Sequence, residues 1–377
     1  MLIFAAILAI FVYGMIAAML GTILPELSER FHLTPSQNGT IAFAQAIGLM
    51  IASVGVGPLL DSQGDKIGLV LGLAFIAVAL FLLPRSRGFG SIVVLLFLLG
   101  MGGGIVVTGA NALANSVSGA HSAIALNLVN LFFGLGGLAT PFLAANLFKR
   151  NWVKLCYTVA VLTVVTLAFH AATPMPSPAG GAGLGLAQAG PIFSHPLIFL
   201  IGLLLFLYIS CEVGVWNWLP RHLIAQGIPE TRALNILSLG FALGLLIGRV
   251  AVSPILINVP PIDVTLAASI AMAVTTFFML RTVKPGAAAA LVFIAGVSMA
   301  PVFPTALAIT GKAFPQMTAT AIGFVITCGW AGLAVSSPII GAIAGGDPRR
   351  LKKALLLIPA SAVLMIGLNL AIASALQ

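Results

Sequence analysis

Eight acidic residues occur in this 377-residue chain, and Glu212 is the one that falls well inside a long apolar run. Tyr208, Glu212 and Trp216 follow at i, i+4 and i+8, which puts them on one helix face. An aromatic ring can cover the CH face of a sugar while a carboxylate accepts from its hydroxyls. The same carboxyl can take up and release a proton, so Glu212 is a candidate for substrate binding and for coupling; a protonated Glu bonded to a neighbouring helix is the structural alternative. Asn127 and Asn130, at i and i+3, share a second face, and Asn111 could meet them from the preceding run. Amides donate and accept without charge, which suits a neutral polyol and equally suits hydrogen bonds between helices. Gln45 and Trp330 are further candidates for substrate contact. Arg249 lies near the end of a run, where it could snorkel to an interface or hold an anion. Asp61 and Lys66 stand in a polar break and could pair with one another.

Other chemistry finds no support. The five histidines are scattered without ligand spacing, so no metal site is expected. There is no phosphate-binding glycine loop and no nucleophile elbow, so neither an enzyme nor a cofactor is expected. Cys156, Cys211 and Cys328 each lie within an apolar run and read as free buried thiols. The net charge of +9 comes from cations standing singly or in pairs, with no basic stripe for a nucleic acid.

The elements that hold these residues follow from composition. Sixty per cent of the chain is hydrophobic and 7% charged, against roughly 25% charged in soluble domains. Too few polar residues remain to clothe a soluble surface, so lipid is the solvent for most of the exterior. Long continuous apolar runs indicate helices rather than a barrel of alternating strands. Twelve spans are predicted, at 2–24, 38–60, 67–83, 91–113, 123–147, 152–171, 196–217, 233–256, 263–281, 287–309, 319–343 and 353–375. Residues 172–195, rich in Pro, Gly, Ala and Ser and free of formal charge, divide them six and six. The stretch GLMIASVGVGPLL from Gly48 recurs as GLLIGRVAVSPIL from Gly244, with Pro58 matched by Pro254. Two similar halves are therefore expected, each of six spans.

Between the second and third spans lies Gly57-Pro-Leu-Leu-Asp61-Ser-Gln-Gly64-Asp65-Lys66. It resembles the loop motif of the major facilitator superfamily, matching at Gly57, Asp61, Gly64 and Lys66 and departing at Ser62 and Asp65, where basic residues are usual. The resemblance implies a cytoplasmic loop whose Asp61 braces a neighbouring helix and stabilises one of two access states. Thr108 to Asn115 and Leu126 to Gly134 are similar to spans four and five of the fucose–proton symporter branch. That likeness implies sugar-facing roles for Asn111, Asn127 and Asn130, the last standing where Gln is usual. Tyr208 to Trp216 resembles a Tyr-x-x-x-Glu element of the same branch. The branch carries protons on acids in spans one and four, but span one here has no acid and Val107 stands at the span-four position. Proton coupling is not carried over, and a facilitator is the favoured expectation.

The expected fold is thus an all-α membrane protein of the major facilitator type, with bundles at 1–171 and 196–377 joined by a linker at 172–195. The expected function is secondary transport of a small neutral polar solute, a monosaccharide above all, by alternating access, as symporter or uniporter. Expected partners are the sugar-like substrate, the lipid bilayer, and H⁺ or Na⁺ as coupling ion, with no nucleic acid and a monomeric state. Asp61, Lys66, Arg249 and Glu212 are the expected gating and coupling residues. The rivals are a drug or organic-anion exporter of the same fold and a non-transporting receptor or lipid-handling protein. The resemblance puts the chain in a bacterial inner membrane with both termini cytoplasmic. That topology leaves only Lys66, Arg249 and Lys312 on the cytoplasmic side, the reverse of the positive-inside rule.

Overall fold

The computed structural model describes residues 1–149, 151–176, 190, 192–282, 284–345 and 347–376, so most of the expected linker and Arg150 lie outside the described residues. Every regular element among them is helical. The first six helices are α1 (Leu2–Phe31), α2 (Pro35–Gln63), α3 (Asp65–Leu82), α4 (Phe89–Ser118), α5 (Ser122–Phe142) and α6 (Trp152–Ala172). They are followed by α7 (Pro196–Ala225), α8 (Glu230–Asn235), α9 (Leu243–Ile255), α10 (Pro261–Met279), α11 (Pro285–Met299), α12 (Val302–Ala313), α13 (Thr318–Ala344), α14 (Pro348–Leu355) and α15 (Leu357–Ala375).

Eleven continuous helical stretches among the described residues are long and apolar enough to cross a bilayer. One of them, Phe89–Leu147, holds 59 residues and would run about 90 Å if straight, against a hydrocarbon core of about 30 Å. It folds back at Gly119–His121, where Gly119 takes a left-handed φ of 51°. The helices α4 and α5 therefore cross separately, giving twelve crossings. In the second half, a π-helical segment Ile236–Ala242 joins α8 to α9 as one crossing.

Several predicted ends are corrected. The polar break expected at residues 25–29 is helical: α1 runs through Pro25 and stops at His32, whose φ of 50° is left-handed. The predicted loop motif is the last turns of α2, and the chain turns only at Gly64, with φ of 90°. At the other end of α2, Thr34 accepts from the Gln37 backbone N–H at 3.3 Å while the Gln37 side chain accepts from Thr34 N–H at 2.9 Å. This reciprocal cap satisfies two of the donors that a helix start leaves open.

The chain groups into two compact units. One comprises Met1–Ala125, Val129–Ile192 and Phe314–Thr327, and the other Leu126–Leu128, Phe193–Ala313 and Cys328–Gln377. Within the first, α2 and α4 pack almost backbone to backbone: a Cβ on Gly48 would overlap the Phe97 carbonyl, and one on Gly100 the Gln45 carbonyl. Without a hydrophobic drive between helices in lipid, such close dispersion contact holds them together. Within the second, Gly244 and Gly296 make the matching crossing, against the Phe293 and Phe241 carbonyls. A buried polar knot ties α10 to α15: the Thr265 hydroxyl donates to Asn369 Oδ1 at 2.6 Å, and Asn369 Nδ2 donates to Ser269 Oγ at 3.0 Å and to the Met365 carbonyl at 2.8 Å.

Candidate functional site

In the first unit, α4 carries Asn111 with no solvent exposure. Its Nδ2 donates back to the Val107 carbonyl at 2.7 Å, and its Oδ1 accepts from Asn130 Nδ2 on α5, also at 2.7 Å. The two amides thus orient each other. One turn before Asn111, the fully buried Thr108 hydroxyl has no hydrogen-bond partner among the described residues. Tyr13 on α1 stacks on Phe133 with ring centroids 5.3 Å apart. Gln45 is half-buried at the tight α2–α4 crossing.

Asn127 does not join that pair. Its turn, Leu126–Leu128, groups with the second unit, and its Nδ2 donates to Thr305 Oγ1 on α12 at 3.0 Å. The shared face expected from the i, i+3 spacing thus divides between two neighbours. Thr305 escaped the sequence reading because an isolated threonine in an apolar run is commonplace.

In the second unit, Tyr208 is fully buried on α7, beside the Glu212 carboxylate and within electrostatic range of the Arg249 guanidinium. Arg249, on α9, is 5% exposed, so of its two readings snorkelling to an interface is not the one adopted: it lies within the unit, in electrostatic range of Tyr208. Trp216 sets its ring edge-on to Phe241 of the π-helical segment, centroids 5.2 Å apart. The Trp330 indole N–H on α13 is buried without a partner among the described residues.

The Asp61 carboxylate caps the start of α13. Oδ1 accepts from the Ala319 N–H at 2.9 Å, and Oδ2 from the Thr320 N–H at 2.8 Å and the Thr320 hydroxyl at 2.6 Å. The first-turn N–H groups of a helix point outward and carry its positive dipole end, so a carboxylate there is doubly favoured. Gly57 permits the approach, since a Cβ would overlap the Thr320 backbone. No ion pair joins Asp61 to Lys66 among the described residues, and the expected pairing is replaced by this cap. Thr320 was not legible as the partner, being 259 residues away.

The sequence profile of the Major Facilitator Superfamily matches residues 6–346. The glucose/mannose transporter GlcP of Bacillus subtilis (strain 168) is 28% identical over 263 residues, covering 64% of this chain and 63% of that protein. The glucose/galactose transporter of Brucella abortus biovar 1 (strain 9-941) is 26% identical over 262 residues, with the same two shares. The chain thus spans less than two thirds of the length of these relatives. Among solved structures, the E. coli fucose:proton symporter FucP superimposes with a TM-score of 0.86 at 16% identity, covering 98% of both chains. That likeness is one of fold.

Proposed function

We propose that this chain, which belongs to the Major Facilitator Superfamily and is a multi-pass membrane transporter rather than an enzyme, carries a monosaccharide or similar neutral polyol by alternating access. The observation that carries the reading is buried polar groups with spare hydrogen-bonding capacity, the Thr108 hydroxyl in the first unit and the Trp330 indole N–H in the second. An unmet polar group in an apolar interior costs about 1–3 kcal/mol, and the hydroxyls of a sugar would relieve it. The paired amides of Asn111 and Asn130 add oriented neutral donors and acceptors. The sugar transporters among the relatives support the same substrate class. We take Asn111, Asn127, Asn130, Tyr208, Glu212, Trp216, Gln45 and Trp330 as the substrate-binding set. The bundle limits 1–171 and 196–377, with a linker between, belong to the same proposal.

A buried guanidinium favours a second reading, in which Arg249 holds an organic anion. Uptake of labelled hexoses into proteoliposomes, with deoxyhexoses and organic acids as competitors, tests the substrate class. Competition by sugars alone supports the proposal, and competition by organic acids alone replaces it with the anion reading. Accumulation driven by an imposed pH or Na⁺ gradient, and lost in Glu212→Gln, identifies a symporter. Equilibration without accumulation identifies a uniporter.

A further inference from the structure

At one end of the second unit, α14 (Pro348–Leu355) is a short amphipathic helix lying on α7. Leu351, Ala354 and Leu355 are buried, whereas Arg349, Arg350, Lys352 and Lys353 are exposed. Asp347 caps the helix by accepting from the Arg349 N–H at 2.8 Å. Beside it is a cavity of about 310 Å³ lined by Trp218, Arg221, Gly341, Asp347 and Leu351, among others. Trp218 forms a firm wall: its indole N–H donates to Ser337 Oγ at 3.1 Å, and its ring faces Gly341. The Arg221 guanidinium lies 5.1 Å from the Trp218 ring centroid. Lys352 extends the positive field toward His222, with which it is in electrostatic range. Four cations on α14, with Arg221, thus outnumber one carboxylate, Asp347, which is half-exposed and 3.9 Å from Arg350 Nε.

The level of this cluster relative to lipid follows from its neighbours. Ile224, Ile343 and Leu356 are 41%, 44% and 41% exposed, each adjacent in sequence to a residue of α14 or of the cavity wall. The basic face therefore stands at the boundary where an apolar protein exterior gives way to a charged one, and the interfacial Trp218 fits the same level.

We propose that the cleft between α7 and α14 is a binding site for an anionic phospholipid. The headgroup phosphate would lie against Arg221 and the cations of α14, with the acyl chains along the apolar surface of Ile224 and Ile343. A clustered set of basic residues on an amphipathic helix attracts acidic headgroups by a field that salt screens within a Debye length. The apolar flank distinguishes a lipid from a free anion, which would gain nothing from it.

The test uses the purified full-length protein in detergent micelles supplemented with phosphatidylglycerol or phosphatidylcholine, with unfolding temperature as readout. Phosphatidylglycerol should raise the parent's unfolding temperature above that reached in phosphatidylcholine. The combined variant Arg349→Gln, Arg350→Gln, Lys352→Gln and Lys353→Gln changes only exposed side chains. It should lower apparent affinity for phosphatidylglycerol by about tenfold or more, and Arg221→Gln should act in the same direction. The variant Arg85→Gln with Arg87→Gln removes exposed charge in the other unit and should retain the parent's response. Equal stabilisation by the two lipids, or an equal loss in the Arg85 and Arg87 control, would overturn the proposal. So would full stabilisation by glycerol phosphate without acyl chains.

Discussion

Gly48 and Gly100 let α2 and α4 meet backbone to backbone, and 196 residues later Gly244 and Gly296 do the same in the second half. One turn on, Gly104 faces Ala52 in the first crossing, while Gly248 faces Ala300 in the second. The small residue has changed sides and the spacing has survived. The polar equipment at matched positions has not been kept. Ser53 is buried with its hydroxyl on the Gly104 carbonyl at 3.5 Å, and its counterpart is the buried Arg249. The first half offers neutral amides in Asn111 and Asn130; the second offers a phenol, a carboxylate and a guanidinium. Packing between helices in lipid tolerates few alternatives to glycine at a crossing, whereas polar side chains inside the spans are free to specialise.

The largest expected effects come from the shared scheme. Gly100→Val and Gly296→Val each force a branched side chain against a backbone carbonyl, and each should destabilise by about 3 kcal/mol or more, read as loss of the cooperative melt in detergent. A large cost at one crossing and none at the other would end the equivalence. Next in size is Arg249→Met, which removes a guanidinium that is 5% exposed and in electrostatic range of Tyr208, and should cost about 3 kcal/mol. Ser53→Ala at the matched position should cost about 1 kcal/mol. Parallel thermal unfolding compares them, and equal costs would remove the contrast drawn at this position.

Asn111→Ala and Asn130→Ala should each weaken sugar binding by about 1–3 kcal/mol, and the double variant by less than the sum because the amides share one bond. Titration calorimetry checks this; full additivity would separate the two residues. Asp61→Asn should have an effect of similar size. It keeps one acceptor for α13, turns the other oxygen into a donor facing donors, and loses the charge at the helix start, at a cost of about 1–3 kcal/mol. Cysteine accessibility on the two sides of the membrane should shift while sugar affinity stays constant.

Much of this comparison was legible before any coordinates. Apolar run lengths locate the crossings, and the repeated Gly and Pro positions locate the seam. The ends of spans were less visible, because Pro25 reads as a break yet sits inside α1. Helices that long carry proline when their neighbours hold them. The division of labour between Asn127 and Asn130 was hidden for a different reason. Helical spacing specifies a face but not which neighbour will cover it, and the Asn127 partner is 178 residues distant.

The turn at Gly119–His121 has a consequence for how the chain enters its membrane. It contains no Lys, Arg, Asp or Glu, and three residues leave no slack between α4 and α5. The ends of the pair are anchored on one side by Arg85 and Arg87 before α4 and by Lys149 and Lys154 after α5. A turn this short sends α5 back in the direction opposite to α4, so the two crossings run antiparallel. The orientation of α5 is thereby dictated by α4, whatever the charge balance of the remaining loops.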